Sequence, residues 1–591
     1  MKSFLKYLLA SILGTLIVGL IMFFIFLGSL SAIIAHQEKP ATVKSNSILY
    51  LKLDKPIEDR KPSIPFNFTP FNFKTPFAEQ VLGLNEILRN IEKAAKDDNI
   101  KGICLDLSTI QSGYATIEEI RNALVKFKET GKFIISYSDD FRQPPYYLAS
   151  VSDKIYMNPE GSLYLIGLKT ELLFFKNAFD KLGINPEVIR HGKFKSAVEP
   201  LIDTKMSDAN REQIRSYMGS IWEHLVTSIS ESRGITTMEI NNLANNLSLW
   251  NSAVAVEHKL IDSLIYRDEL ISILKEKSGT EDQESPNLVA IETYDKVPEI
   301  RTTKGLIKEK IAIIYASGDI VSGEDYTDEI GAHKISRTIR EARADSSIKA
   351  IVFRVNSPGG SALASELIWR ELDLAKKVKP VIASMGDVAA SGGYYILAPA
   401  DTIVANPVTI TGSIGVFGVL MNMKDLMNKK LGITYDAETT NTYSNIGTPF
   451  RPLSQYELQI LEKGVNKTYY SFVDHVAEGR GLTFDQVDNI AEGRVWSGIN
   501  AKKIGLIDTY GGLTEAIKIA AEKAHIETYR IVELPKLQEP LQQLLKQVTG
   551  DIKIKLIKNE LGDDYKYYQL LRKAKNMNGI QARLPYEISL N

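Results

Sequence analysis

The sequence predicts an α/β protein made of two tandem copies of one domain behind a single N-terminal membrane-spanning helix. Three observations predict it. Short apolar runs alternate with amphipathic stretches, the rhythm of buried, mostly parallel strands joined by helices. Two segments of more than 200 residues match each other at an offset near 248. The N-terminus carries an uncharged run of 29 residues, Tyr7 to Ala35.

That run defines an anchor over residues 1–36. Crossing a bilayer takes roughly 20 apolar residues, whereas a cleaved signal peptide has an apolar core of roughly 7–15. Length favours a retained anchor over cleavage after Ala35. Lys2 and Lys6 precede the run. They hold that end in the cytoplasm and send the remaining chain outside it.

The first repeat is expected over 47–274 and the second over 306–534. "DDNIKGICLDLS" (97–108) answers "DSSIKAIVFRVN" (345–356), and "LWNSAVAVEHKLID" (249–262) answers "VWSGINAKKIGLID" (495–508). Order and spacing hold throughout, and the period is far too long for a solenoid. In the second repeat "KIAIIYA", "IKAIVFRV" and "KPVIASM" read as strands. "ISRTIREARA" and "SELIWRELDLAKKV" read as the helices between them. The polar stretch 275–305 is expected to be a linker. The charged, partly amphipathic tail 535–591 is expected to be helical.

Composition excludes several functions. The chain has 591 residues, 44% hydrophobic and 24% charged, with a net charge of -1. No basic excess is available to attract nucleic acid. One cysteine, Cys104, permits no intrachain disulfide, and the seven histidines show no zinc-ligand spacing. No metal is expected from this spacing.

The chemistry should lie in "GDVAASGGYYILAPA", residues 386–400. It puts Ser391 on a sharp turn between a buried strand and a helix. A serine there is either a helix N-cap or a nucleophile on an elbow. The repeat supplies a control. "FIISYSDDFRQPPYYLAS" (133–150) aligns with "VIASMGDVAASGGYYILA" (381–398), so Ser391 faces Gln143 and Gly392-Gly393 face Pro144-Pro145. "NSPGGS" (356–361) aligns with "STIQSG" (108–113), which lacks the glycine pair. Joint loss of the serine and both glycine pairs fits one competent and one retired site. Backbone amides of Gly359 or Gly360, together with Gly392, are the candidate oxyanion donors.

A serine needs a base. His333, His475 and His525 stand in no recognisable motif. "RHGKFKSAVEP" (190–200) offers Lys193 and Lys195 in the first repeat, and the matching stretch around Tyr443 and Ser444 has no lysine. A lysine serves as base when burial or a nearby cation lowers its pKa.

These strings resemble those of the signal peptide peptidase A (protease IV) family, S49, in its long duplicated bacterial form, from the anchor to about residue 530. "KSAVEP" resembles the segment whose leading lysine is the general base, here Lys195. "MGDVAASGGYY" resembles the nucleophile segment, giving Ser391. "NPVTITGSIGVFG" (406–418) resembles the following strand and loop, whose serine, here Ser413, orients the lysine. "NSPGG" matches the oxyanion turn. Asp387 departs from the pattern, where Gly or an apolar residue is expected.

The resemblance implies a Clp-protease/crotonase-like fold and a membrane-anchored serine endopeptidase with a Ser-Lys dyad. It implies substrates that are signal peptides left in the bilayer, a homotetramer, and a catalytic part on the periplasmic side of the bacterial inner membrane, with no metal or organic cofactor. A crotonase-like acyl-CoA enzyme and a non-catalytic membrane scaffold are the alternatives.

Overall fold

Ile, Val and Ala dominate the strand-forming runs, and their side chains are enclosed on both faces, as strands in a parallel sheet covered by helices must be. The computed structural model describes residues 2–37, 41–61, 81–298, 307–324, 329–537 and 579–584. Residues 2–37 form one helix, and Lys6–Ile25 within it is long and apolar enough to cross a membrane, with a mean hydropathy of 2.7.

The first repeat builds a six-stranded parallel sheet in the order Ser263–Leu264, Lys154–Met157, Phe133–Ser138, Ile100–Asp106, Ser47–Lys52, Asn287–Ala290. The second repeat repeats this order in an eight-stranded sheet, Thr509–Tyr510, Thr402–Ala405, Val381–Ala390, Ile348–Ser357, Lys310–Ser317, Arg530–Leu534, and adds a branch in which Ile410–Gly412 pairs with the end of Val381–Ala390 and, antiparallel, with Val495–Ser497. Helices Tyr114–Lys128 and Ala362–Lys376 occupy equivalent crossovers. The strands and helices expected in the second repeat are present within a few residues of their expected ends.

Two boundaries differ from expectation. Asn287–Ala290, inside the expected linker, pairs in parallel with Ser47–Lys52 and closes the first sheet as Arg530–Leu534 closes the second. Half of this short strand is exposed, so it lacks the apolar run that marks a buried strand. In the tail, residues 538–578 and 585–591 lie outside the described residues. Gln581–Arg583 is a strand, not a helix.

A third sheet joins the two halves. Its order is Glu329–Gly331, Asp319–Val321, Gly359–Ser361, Gln581–Arg583, Phe417–Asn422, Asn185–Arg190. Asn185–Arg190 comes from the first repeat and pairs antiparallel with Phe417–Asn422, Arg190 facing Phe417. This pairing delivers the residues after Arg190 into the second repeat.

Buried charge also ties the repeats. Arg354, fully enclosed, meets Asp59 at 2.7 Å and Glu119 at 2.8 Å, both from the first repeat. Burial alone would lower the Arg354 pKa, but the two carboxylates hold it raised. Removing Arg354 would leave two enclosed carboxylates without their cation, at a cost of about 3–5 kcal/mol. Asp387 works alongside. Its carboxylate accepts from Thr116 N (2.9 Å) and Thr116 Oγ1 (2.7 Å), capping a first-repeat helix whose own N-cap is Gly113. The unexpected acid of the nucleophile strand is therefore an inter-repeat cap.

Candidate active site

The strand Val381–Ala390 ends at Ser391, and the helix Gly392–Leu397 begins directly after it. The turn forces Ser391 to φ +54° and ψ −117°, a strained conformation for a residue with a Cβ. Ser391 N donates to Gly412 O at 2.8 Å and Ser391 O accepts from Tyr395 N at 2.9 Å, which fixes the elbow from both sides. Its side chain makes no cap bond to the helix.

Lys195 arrives from the first repeat. After Arg190 the chain turns through Gly192, and Phe194 N donates to Glu492 O at 3.0 Å. Gln213 Nε2 donates to Phe194 O (3.1 Å), and Gln213 Oε1 accepts from Val495 N (3.0 Å). One glutamine thus clamps the lysine loop to the second repeat.

The Lys195 amine is fully buried and makes three polar contacts: Ser391 Oγ at 2.8 Å, Ser413 Oγ at 3.0 Å and Ser413 O at 3.1 Å. Burial pushes its pKa well below the ordinary lysine value. A neutral amine has two N–H donors and one lone pair. Two donors to Ser413 leave the lone pair for the Ser391 hydroxyl proton. Ser391 Oγ has one further contact, Gly415 O at 3.4 Å.

The structure therefore brings Ser391, Lys195 and Ser413 together and leaves the other base candidates out. Lys193 is exposed, 4.0 Å from the Glu492 carboxylate and over the Phe194 ring. His475 stacks on Trp369 and meets Glu366 at 3.0 Å. His333 and His525 are exposed.

Gly359, Gly360 and Gly392 cluster beside the elbow. A Cβ on Gly359, where φ is +101°, would stand 2.7 Å from Gly392 N, and one on Gly392 would stand 3.1 Å from Gly360 N. Gly359 N donates to Ser357 Oγ at 3.1 Å. In the first repeat the equivalent corner is filled. Gln143 Oε1 accepts from Ile166 N (3.2 Å) and Gly167 N (3.0 Å), and its amide donates to Tyr114 OH.

The family model of peptidase family S49 matches twice, over residues 126–281 and 373–527, more than half of the chain. The chain belongs to peptidase family S49. It is 35% identical over 510 residues to the chloroplastic serine protease SPPA of Arabidopsis thaliana, covering 85% of this chain and 74% of that one. It is 34% identical to Protease 4 of Haemophilus influenzae, covering 85% and 84%. Among solved structures, a mutant of ClpP1 from Listeria monocytogenes aligns with 35% of this chain and 94% of its own at 16% identity, TM-score 0.24.

Sequence reasoning missed part of this S49 site. Gly493 has φ +80°, and a Cβ there would stand 2.6 Å from Lys195 Cβ and 2.7 Å from its backbone N. Only glycine lets the lysine backbone pass. The signal was a lone glycine in "AEGRVW", with nothing to connect it to residue 195. Gly493→Ala is expected to lower kcat for peptide hydrolysis by roughly 10–100-fold by displacing the amine from the serine. Steady-state kinetics with KM held near wild type checks this, and an unchanged kcat would show that the contact is not needed.

Proposed function

We propose that this S49 serine peptidase is a membrane-anchored endopeptidase with a Ser391–Lys195 dyad, degrading cleaved signal peptides left in the bilayer. The observation that carries the proposal is a fully buried lysine amine, with no carboxylate among its polar contacts to the described residues, 2.8 Å from an elbow serine. Neutral Lys195 takes the Ser391 proton while Ser413 holds the amine in line. The Ser391 oxygen attacks the scissile carbonyl, forming a C–O bond. The amides of Gly360 and Gly392 face the resulting oxyanion, and Gly359 leaves room for the extended peptide. Lys195 then gives the proton to the leaving amine, and the C–N bond breaks. A water, deprotonated by Lys195, hydrolyses the acyl-enzyme.

The apolar helix Lys6–Ile25, after Lys2, supports an anchor with its N-terminal end in the cytoplasm and the sheets on the periplasmic side of the inner membrane. A ring of copies, a homotetramer, is supported by the repeat. The sequence counterparts of the paired strands Asn185–Arg190 and Phe417–Asn422 lie near residues 433–439 and 169–174. Among the described residues neither pairs with a strand, and they expose Ile433, Tyr435 and Leu173. The same pairing between neighbouring chains would be a head-to-tail contact, the kind that forms a ring when its rotation closes.

The test is incubation of the full chain, in lipid vesicles, with a synthetic signal peptide and separately with a serine-reactive phosphonate. The expected results are hydrolysis of the peptide and covalent label on Ser391 alone. Label at another residue removes Ser391 from the mechanism, and an unlabelled chain that leaves the peptide intact points to the scaffold or acyl-CoA alternatives.

A further inference from the structure

Between Gly359–Ser361 and Phe417–Asn422 runs a strand that belongs to neither repeat, Gln581–Arg583. It pairs antiparallel with the first, Gly360 facing Ala582 and Ser361 facing Gln581. On its other side Gln581 faces Phe417. Ala362 N donates to Ile580 O at 3.2 Å and Leu584 N to Pro358 O at 2.7 Å, so the pairing continues from 580 to 584. An extended segment added to an open sheet edge is a common way to take a peptide ligand. Main-chain bonds hold it, and side-chain pockets discriminate.

Three features mark this strand as a ligand of the reaction groove. Its Ala582 carbonyl lies at the candidate oxyanion glycines: a Cβ on Gly359 would stand 2.1 Å from Ala582 O, and one on Gly392 2.9 Å. The Ala582 side chain is wholly enclosed, in a space that a methyl group fills. The next residue, Arg583, meets Asp319 at 2.8 Å, with its side chain only 12% exposed. Small residue, presented carbonyl and paired cation follow one another along a single strand.

We infer that residues 580–584 are a resident ligand of the groove, seated as a substrate strand, and that Asp319 selects peptides carrying a basic residue directly after a small one. The inference rests on the peptidase reading for the word substrate. Occupancy by the chain's own strand means that an incoming peptide must displace it, so the free groove is only a fraction of the population.

The test uses full chains carrying Ser391→Ala, so that nothing depends on turnover. Amide hydrogen exchange is expected to find Ala582 and Leu584 protected, and to find both fast once Ala582→Trp, too large for the enclosed space, is added. Fast exchange in Ser391→Ala itself overturns the occupancy. Fluorescence anisotropy then follows two labelled peptides that differ only in Arg or Ala after a small residue. Ala582→Trp is expected to tighten both by about fivefold or more, because the groove is vacated. The Arg peptide is expected to bind about tenfold tighter than the Ala peptide, the scale of a charge-assisted contact, and Asp319→Asn to erase that preference. Unchanged affinities in Ala582→Trp remove the strand as occupant. Equal binding of the two peptides, or a preference that survives Asp319→Asn, removes Asp319 as the selecting residue. Wild type that binds as expected but cuts neither peptide would sink the peptidase reading and leave the groove's ligand in place.

Discussion

Ser391→Ala is expected to leave a folded chain whose peptide hydrolysis has fallen by roughly 10³-fold or more. The substitution removes the atom that forms the acyl bond, so what remains is the residual rate from binding and oxyanion contacts. Folding should survive. Alanine at φ +54° carries the same Cβ strain that serine already carries. The Lys195 amine keeps both of its contacts to Ser413. Thermal unfolding within a few degrees of wild type, together with a lost phosphonate label, is the expected pair of results. Activity within tenfold of wild type would mean that another group is the nucleophile.

Lys195 carries the second large effect, and its variants separate charge from packing. Lys195→Arg places a permanent cation in a fully buried site that has no carboxylate contact among the described residues, and it cannot accept a proton. It should lose activity and stability together. Lys195→Met loses activity to the same degree, roughly 10³-fold, yet should unfold at or above the wild-type temperature. The sign follows from the depressed pKa in the folded chain. Between that value and the ordinary lysine value, the unfolded chain binds more protons, so this group's contribution to stability rises with pH. Below the folded value the penalty is at its full size, and methionine removes it. In wild type, kcat/KM should climb as pH rises through the folded pKa and then level off, because the neutral amine is the active form. A rate that falls from pH 6 to 9 would count against a lysine base, and a destabilised Lys195→Met against the burial argument.

The elbow serine was legible because its string is local: strand, small residues, serine, glycine pair, helix. The retired copy sharpened it, since Gln143 replaced the serine just where Pro144 and Pro145 replaced the glycines. Lysine was legible only as a choice between Lys193 and Lys195 until the resemblance decided it. Two positions in sequence separate a solvent-exposed amine from a fully buried one, and no periodicity exists in a turn to assign them. Gly493 and Gln213 were beyond reach for a different reason. Each acts across the junction of the repeats, 280 or more residues from its partner for the Gln213–Val495 bond. The edge strand Asn287–Ala290 was hidden by its half-exposed face, and Asp387 looked like a flaw in the motif until Thr116 appeared opposite it.

Arg354 follows Asp59 by 295 residues, and Leu513, whose amide donates to the Glu119 carboxylate at 2.7 Å, follows Glu119 by 394. On a ribosome adding about 5–20 residues per second, Asp59 emerges roughly 15–60 s before its cation exists. By the end of that interval the first repeat has all of its strands, up to Asn287–Ala290, but not the Arg354 cation that meets its two carboxylates in the finished chain. Its final closure must therefore wait for the second repeat, and the lysine loop waits with it. On the proposed dyad, a nascent chain built this way would have no reactive amine while it is still being made.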